Sequence, residues 1–172
     1  MNIAYKILFC SFLLSQVCFA QDNFPDEYLG IYKGTLNIES QQGKQKFPME
    51  FHLLKTDTLD RYRYVLVYGE GEKKQVRNYH MIAKNKEKGE YVVDENNGII
   101  LTDKRFGNTL YSLFEVNENL LTTFITFEED QVIWEITFAP KKEKEVSYAT
   151  SDSTKVIAYP IKTRQKAFLK KQ

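Results

Sequence analysis

The 172-residue chain is poor in the side chains that usually carry chemistry, with two cysteines, two histidines and one tryptophan. Cys10 and Cys18 both fall within the first twenty residues, a stretch that reads as a removable leader. Beyond it there is no thiol, which excludes an internal disulfide, a cysteine nucleophile and Cys-ligated zinc. His52 and His80 stand on separate segments and fall short of the clustered ligands of a histidine metal site. The glycines form no phosphate-cradling string, and there is no Gly-x-Ser-x-Gly elbow. No catalytic residue, metal or cofactor is therefore implied.

An excess of one charge is missing as well. Lys6 leaves with the leader, which brings the 24 basic residues into balance with the 23 acidic ones. A nucleic-acid partner needs basic charge concentrated against phosphate. The one such run is Lys155, Lys162, Arg164, Lys166, Lys170 and Lys171, which reads as a solvated edge and tail. No apolar run reaches the ~20 residues needed to cross a bilayer as a helix, so no integral membrane segment remains after the leader is removed.

The leader is the first thing present. Lys6 precedes the apolar run Ile7-Leu8-Phe9-Cys10-Ser11-Phe12-Leu13-Leu14, and Cys18 and Ala20 offer small residues before the polar Gln21-Asp22-Asn23. That is the pattern of a secretory signal peptide cut after Ala20. Residues 1–20 are thus expected to be removed and 21–172 to form a single domain, exported to the periplasm or the extracellular medium. Acylation at Cys18, which would tether the protein to a membrane, is disfavoured by Gln16-Val17 in front of it.

From Tyr28 the dominant period is two. Phe47, Met49, Phe51 and Leu53 alternate with more polar residues, as do Tyr62, Tyr64, Leu66 and Tyr68 against Arg61 and Arg63, the signature of half-buried strands. Turn residues recur every eight to twelve positions, including Gly69–Lys74 and Asn96-Asn97-Gly98, where Asn-Gly suits a hairpin. About nine strands follow one another to Phe138 by short connections, which implies antiparallel neighbours. Residues 141–154 read as a long loop, Val156–Lys162 as a further strand and Thr163–Lys171 as a short helix. So many consecutive strands leave two raw edges unless the sheet closes. The predicted fold is all-β: an antiparallel up-and-down β-barrel of about 8–10 strands with a short C-terminal strand/helix segment. A β-sandwich is the alternative.

Gly30-Ile31-Tyr32-Lys33-Gly34, on the first strand, resembles the Gly-x-Trp-x-Gly opening of lipocalins and related calycin barrels. Tyr32 stands where that family has tryptophan. The meander and the terminal segment are similar to such barrels in layout. The resemblance implies a closed barrel holding a small, mostly apolar ligand. Haem held through a histidine near the C-terminus, known in some of these barrels, is disfavoured because no histidine follows His80.

Eleven Tyr and twelve Phe suffice either to line a cavity or to fill one, and both readings stand. Candidate ligand-binding residues are Tyr62, Tyr64, Tyr68, Arg77, Tyr79, Phe114, Phe124 and Trp134. Arg77 shares a strand face with Tyr79, and its planar fork suits a ligand carboxylate. The leading function is an exported, soluble, lipocalin-like protein that binds a small hydrophobic or amphipathic ligand. The alternative is a filled-core β-domain acting as a protein-interaction module in the cell envelope. An enzyme using Tyr, Asp or Glu inside the barrel ranks third, and no oligomeric state is implied.

Overall fold

The computed structural model describes residues 23–172; the expected signal peptide lies outside the described residues. Twelve strands follow in chain order: β1 (Gly30–Ser40), β2 (Gly43–Lys55), β3 (Arg61–Tyr68), β4 (Gln75–Asn85), β5 (Glu90–Asp94), β6 (Ile100–Phe106), β7 (Thr109–Val116), β8 (Asn119–Phe127), β9 (Gln131–Pro140), β10 (Glu145–Tyr148), β11 (Lys155–Ala158) and β12 (Thr163–Lys171). Ten of them close an antiparallel barrel in the order β1-β12-β9-β8-β7-β6-β5-β4-β3-β2. The remaining two, β10 and β11, form a separate hairpin within the connection from β9 to β12.

Two C-terminal expectations are corrected. Thr163–Lys171 is a strand, not a helix, and it pairs with both β1 and β9. The stretch read as a loop supplies β10, which pairs with the short β11 inside the segment expected as a further strand. Closure explains the first correction. A chain ending at β9 would leave β1 and β9 unpaired, and β12 satisfies both rows of backbone groups at once.

The predicted alternation holds along the barrel. Tyr32, Leu36, Met49, Phe51, Leu53, Met81, Tyr91, Ile125, Phe127 and Leu169 are buried in one interior cluster. The exterior is charged. Arg164 and Lys166 both reach Glu135, at 2.5 and 2.9 Å, across β12 and β9, and Lys33 meets Glu50 at 3.2 Å across β1 and β2. Within the basic C-terminal run, Arg164 and Lys166 thus brace the outer face of β12 against β9. A charged exterior around an apolar interior is the inverse of a membrane-spanning barrel, whose outside is apolar. No described helix is long and apolar enough to cross a membrane.

The seam is tight at Gly34. A Cβ there would stand 2.2 Å from the Phe168 carbonyl oxygen on β12, a backbone atom that moves only with its strand. Gly34→Ala is expected to cost about 2–3 kcal/mol or more through overpacking. Urea denaturation checks this; a loss below about 0.5 kcal/mol would show that the seam absorbs a methyl group.

The two ends of the barrel differ. At the end where β1 begins, residues 24–28 fold under the opening and plug it. Phe24 packs edge-on against Tyr91 and Phe127, with ring centroids 5.3 and 5.2 Å away. Tyr28 lies 5.3 Å from Phe127 and accepts at its carbonyl a 2.6 Å hydrogen bond from the Tyr32 hydroxyl. Around this plug, Asp26 accepts a hydrogen bond from Tyr62 at 2.8 Å and pairs with Lys55 at 3.3 Å, while Lys86 pairs with Asp60 at 2.8 Å. The opposite end, ringed by the β1–β2, β3–β4, β5–β6 and β7–β8 turns and by the β10–β11 connection, is not plugged in this way.

Candidate functional site

Inside the unplugged end the inward-facing rows of the strands diverge around two adjoining spaces. The inner chamber, about 270 Å³, lies between β3–β9 and β12 and is walled by Tyr64, Tyr68, Tyr79, Phe114 and Trp134 among others. The outer chamber, about 590 Å³, lies towards β1 and β2 against Leu36, Ile38, Phe47 and Pro48. Tyr68 and Gln165 belong to the walls of both. The inner volume falls just below, and the outer one within, the range of about 300–1,000 Å³ typical of small-molecule sites. The plugged half is packed with side chains, while the other half combines buried core residues such as Leu66 and Ile125 with open space between them.

Local sequence explains the walls. Tyr62, Tyr64, Leu66 and Tyr68 alternate down β3, so the pleat sends all four inward. Register then sets Tyr64 beside Tyr79 on β4, and their rings stack with centroids 6.4 Å apart. Burial pushes the Tyr64 hydroxyl well above its usual range, with the nearby Asp103 adding to the effect. Tyr68 and Tyr79 are also raised, chiefly by burial. All three are thus neutral hydrogen-bonding groups at physiological pH.

Five of the eight candidates from the sequence meet at the inner chamber: Tyr64, Tyr68, Tyr79, Phe114 and Trp134. Tyr62 is buried at the plugged end, bonded to Asp26. Phe124 sits on the outer face, 5.4 Å from Tyr111 in an edge-on contact. Its inward neighbours on β8 are Ile125 and Phe127, both buried. Arg77 shares the inward register with Tyr79 but lies exposed at the rim, outside the walls of both chambers. Its charge still lowers the pKa of Tyr68 and Tyr79 against the larger effect of their burial. Among the described residues Arg77 makes no ion pair. The histidines are engaged on the exterior: His52 Nε2 lies 2.8 Å from Glu50, and His80 Nδ1 lies 3.0 Å from Arg61. No described group of acids and histidines is arranged to hold a metal.

Sequence reasoning missed Asp103. It lies on β6, opposite Tyr91 of β5, and is 4% exposed while lining the inner chamber. Burial pushes its carboxyl up to about 7, against the opposing pull of the neighbouring Ser112 hydroxyl. That hydroxyl donates its single proton to the Thr102 carbonyl at 2.8 Å. It is therefore better placed to accept from a protonated Asp103 than to donate to an ionised one. The signal was present in the parity of Leu101, Asp103 and Arg105, which share the face of β6 that meets Tyr91 and Val93.

Trp134 supplies the second unusual group. Among the described residues its buried Nε1–H has no partner in hydrogen-bond geometry, although the Tyr64 hydroxyl stands beside it. Buried donors are rarely left unpaired. The chamber thus offers apolar walls, a buried acid and an unused donor.

These features define a closed antiparallel barrel with a charged exterior, plugged at one end and pocketed at the other. No protein-family model matches the chain, and a search of curated proteins returns no match either.

Proposed function

We propose that this is an exported binding protein that holds a small amphipathic molecule in the hollow half of its barrel. The observation that carries the reading is the contrast between the two ends. A barrel meant only as a scaffold gains stability from filling its interior, yet here aromatic and apolar walls surround space, with few polar groups among them. Tyr64, Tyr68, Tyr79, Phe114 and Trp134 form the wall, and Arg77 stands as a rim cation over the entrance. The lipocalin-like kinship belongs to the same proposal. It is supported by Gly30-Ile31-Tyr32-Lys33-Gly34 at the start of β1, where Tyr32 is fully buried beneath Lys171. Ten strands here replace the eight of lipocalin barrels.

Native mass spectrometry of the protein recovered from its own cell, followed by denaturing extraction, tests the binding. A stoichiometric small molecule released on denaturation is expected. A clean apo mass that stays unchanged after incubation with a lipid and fatty-acid extract would overturn the reading. Export has its own check. N-terminal sequencing of the secreted protein is expected to begin at Gln21, and a chain retained with Met1 would remove the leader from the account.

A second reading, the interaction module, rests on a different surface. Phe106, Tyr111 and Phe124 form an edge-on ladder on the outer face of β6–β8, at centroid distances of 5.8 and 5.4 Å, beside Leu113, which is 70% exposed. Exposed apolar clusters of this kind mark contact surfaces.

A further inference from the structure

We propose that the inner chamber selects a small organic cation, a protonated amine carried on an aromatic or apolar body, with Asp103 as its counter-ion. The inference deepens the reading of the hollow half as a ligand cavity and rests on it. It replaces the carboxylate ligand that Arg77 suggests, because Arg77 is outside the chamber and the charges inside have the opposite sign.

Two carboxylates, Asp103 and Glu95, line the inner chamber, and among the described residues no lysine, arginine or histidine does. Glu95 lies towards the mouth and Asp103 deeper, above the plug. Arg105, on the same face of β6, is engaged over the Phe24 ring at 4.9 Å. Facing Asp103 from the adjoining strands are neutral groups: Tyr64 from β3, Tyr91 from β5 and Ser112 from β7. Among the described residues no cation pairs with the buried acid, an arrangement that is costly when it ionises. An arriving ammonium group removes that cost by pairing with it. A neutral ligand leaves the cost in place, and an anionic one adds to it.

The walls suit the same ligand. Tyr64, Tyr68, Tyr79, Phe114 and Trp134 surround the space with aromatic rings, whose faces attract a cation beyond ordinary packing. The unpaired Trp134 Nε1–H accommodates an acceptor on the ligand's body, such as a hydroxyl or ether oxygen. A volume of about 270 Å³ fits a one-ring amine. A longer apolar tail passes Tyr68 and Gln165 into the outer chamber against Leu36 and Phe47.

Trp134 is the chain's single tryptophan and lines the site, so its fluorescence reports occupancy directly. Three probes of nearly the same shape separate charge from size: phenethylamine, phenethyl alcohol and phenylacetate, titrated into the delipidated protein near neutral pH. Phenethylamine is expected to saturate at a concentration at least about tenfold lower than the alcohol, with phenylacetate the weakest. Asp103→Asn is expected to bring the amine and the alcohol within about twofold of each other. Equal saturation by all three, or a preference for phenylacetate, would overturn the cation assignment and leave the cavity standing. No saturable response to any probe would overturn both. The three-probe comparison in the unaltered protein decides the matter even if the variant folds poorly.

Discussion

Asp103→Asn is expected to make the protein more stable at pH 8 by up to about 4 kcal/mol, and no more stable at pH 3.5. The carboxyl is pushed from 3.8 to about 7 by burial on the chamber wall. Below about pH 4 both the folded and the unfolded chain hold its proton, and the group contributes nothing to the pH dependence. Between about 4 and 7 the unfolded chain has released the proton while the folded one keeps it, so stability falls as pH rises. Above about 7 the full penalty is present and the curve flattens. Asparagine has nearly the same shape and polarity but no charge to bury, so the difference between variant and parent isolates the ionisation. Other acids act in the opposite direction. Glu50 is held low chiefly by its hydrogen bond with His52, and in Asp26 the bonds from Tyr62 and Lys55 outweigh the raising effect of burial. They lose stability as pH falls, equally in both proteins, and so cancel. Urea denaturation at a series of pH values measures the gap. Parallel curves with no gap would mean that Asp103 is hydrated and ionised in the free protein, and its value as a buried counter-ion would go with it.

The second large effect is expected at the plug. Phe24→Ala should cost about 3–5 kcal/mol, the range for deleting a buried phenylalanine. The ring is 2% exposed and meets Tyr91 and Phe127 edge-on while carrying the Arg105 guanidinium on its face. The cost combines lost apolar burial, lost ring–ring contacts and a cavity whose walls, supplied by β5, β6 and β8 of a closed barrel, cannot readily collapse inward. A denaturation midpoint shift with an unchanged slope is the expected form of the result. A loss below about 1 kcal/mol would mean that residues 24–28 lie against the barrel without belonging to its cooperative unit.

Strands β1 to β9 were legible in the sequence because most bury one face and leave the other wet, which writes a period of two into the residue types; β3 departs from this along Val65 and Val67, which are buried on its outward face. The last strand was obscured by its composition. Gln165, Lys166, Ala167, Leu169 and Lys170 all favour helix, and only the need to pair β1 with β9 overrides that preference. Tertiary pairing of this kind leaves no local trace. Likewise β10 and β11 bury none of their residues and so display no alternation to read.

The site was legible where aromatics repeat on one strand face, as with Tyr64 and Tyr68. It was obscured where the informative residue breaks the pattern. Asp103 stands among Thr102, Lys104 and Arg105, and in that company an acid reads as surface. Phe124 failed for the converse reason, since an aromatic side chain on a strand suggests interior whatever its parity.

The joining of β1 to β12 has a consequence for synthesis. The barrel's closing contact unites its first and last strands, so no portion of the chain that lacks β1 or β12 can adopt the finished topology. A ribosome-bound chain lacking Thr163–Lys171 has two open edges and no way to seal them. On the proposed route of export this would be an advantage, because a chain still lacking β12 holds no closed barrel to be unfolded at the membrane. Closure then waits for the nine residues of β12.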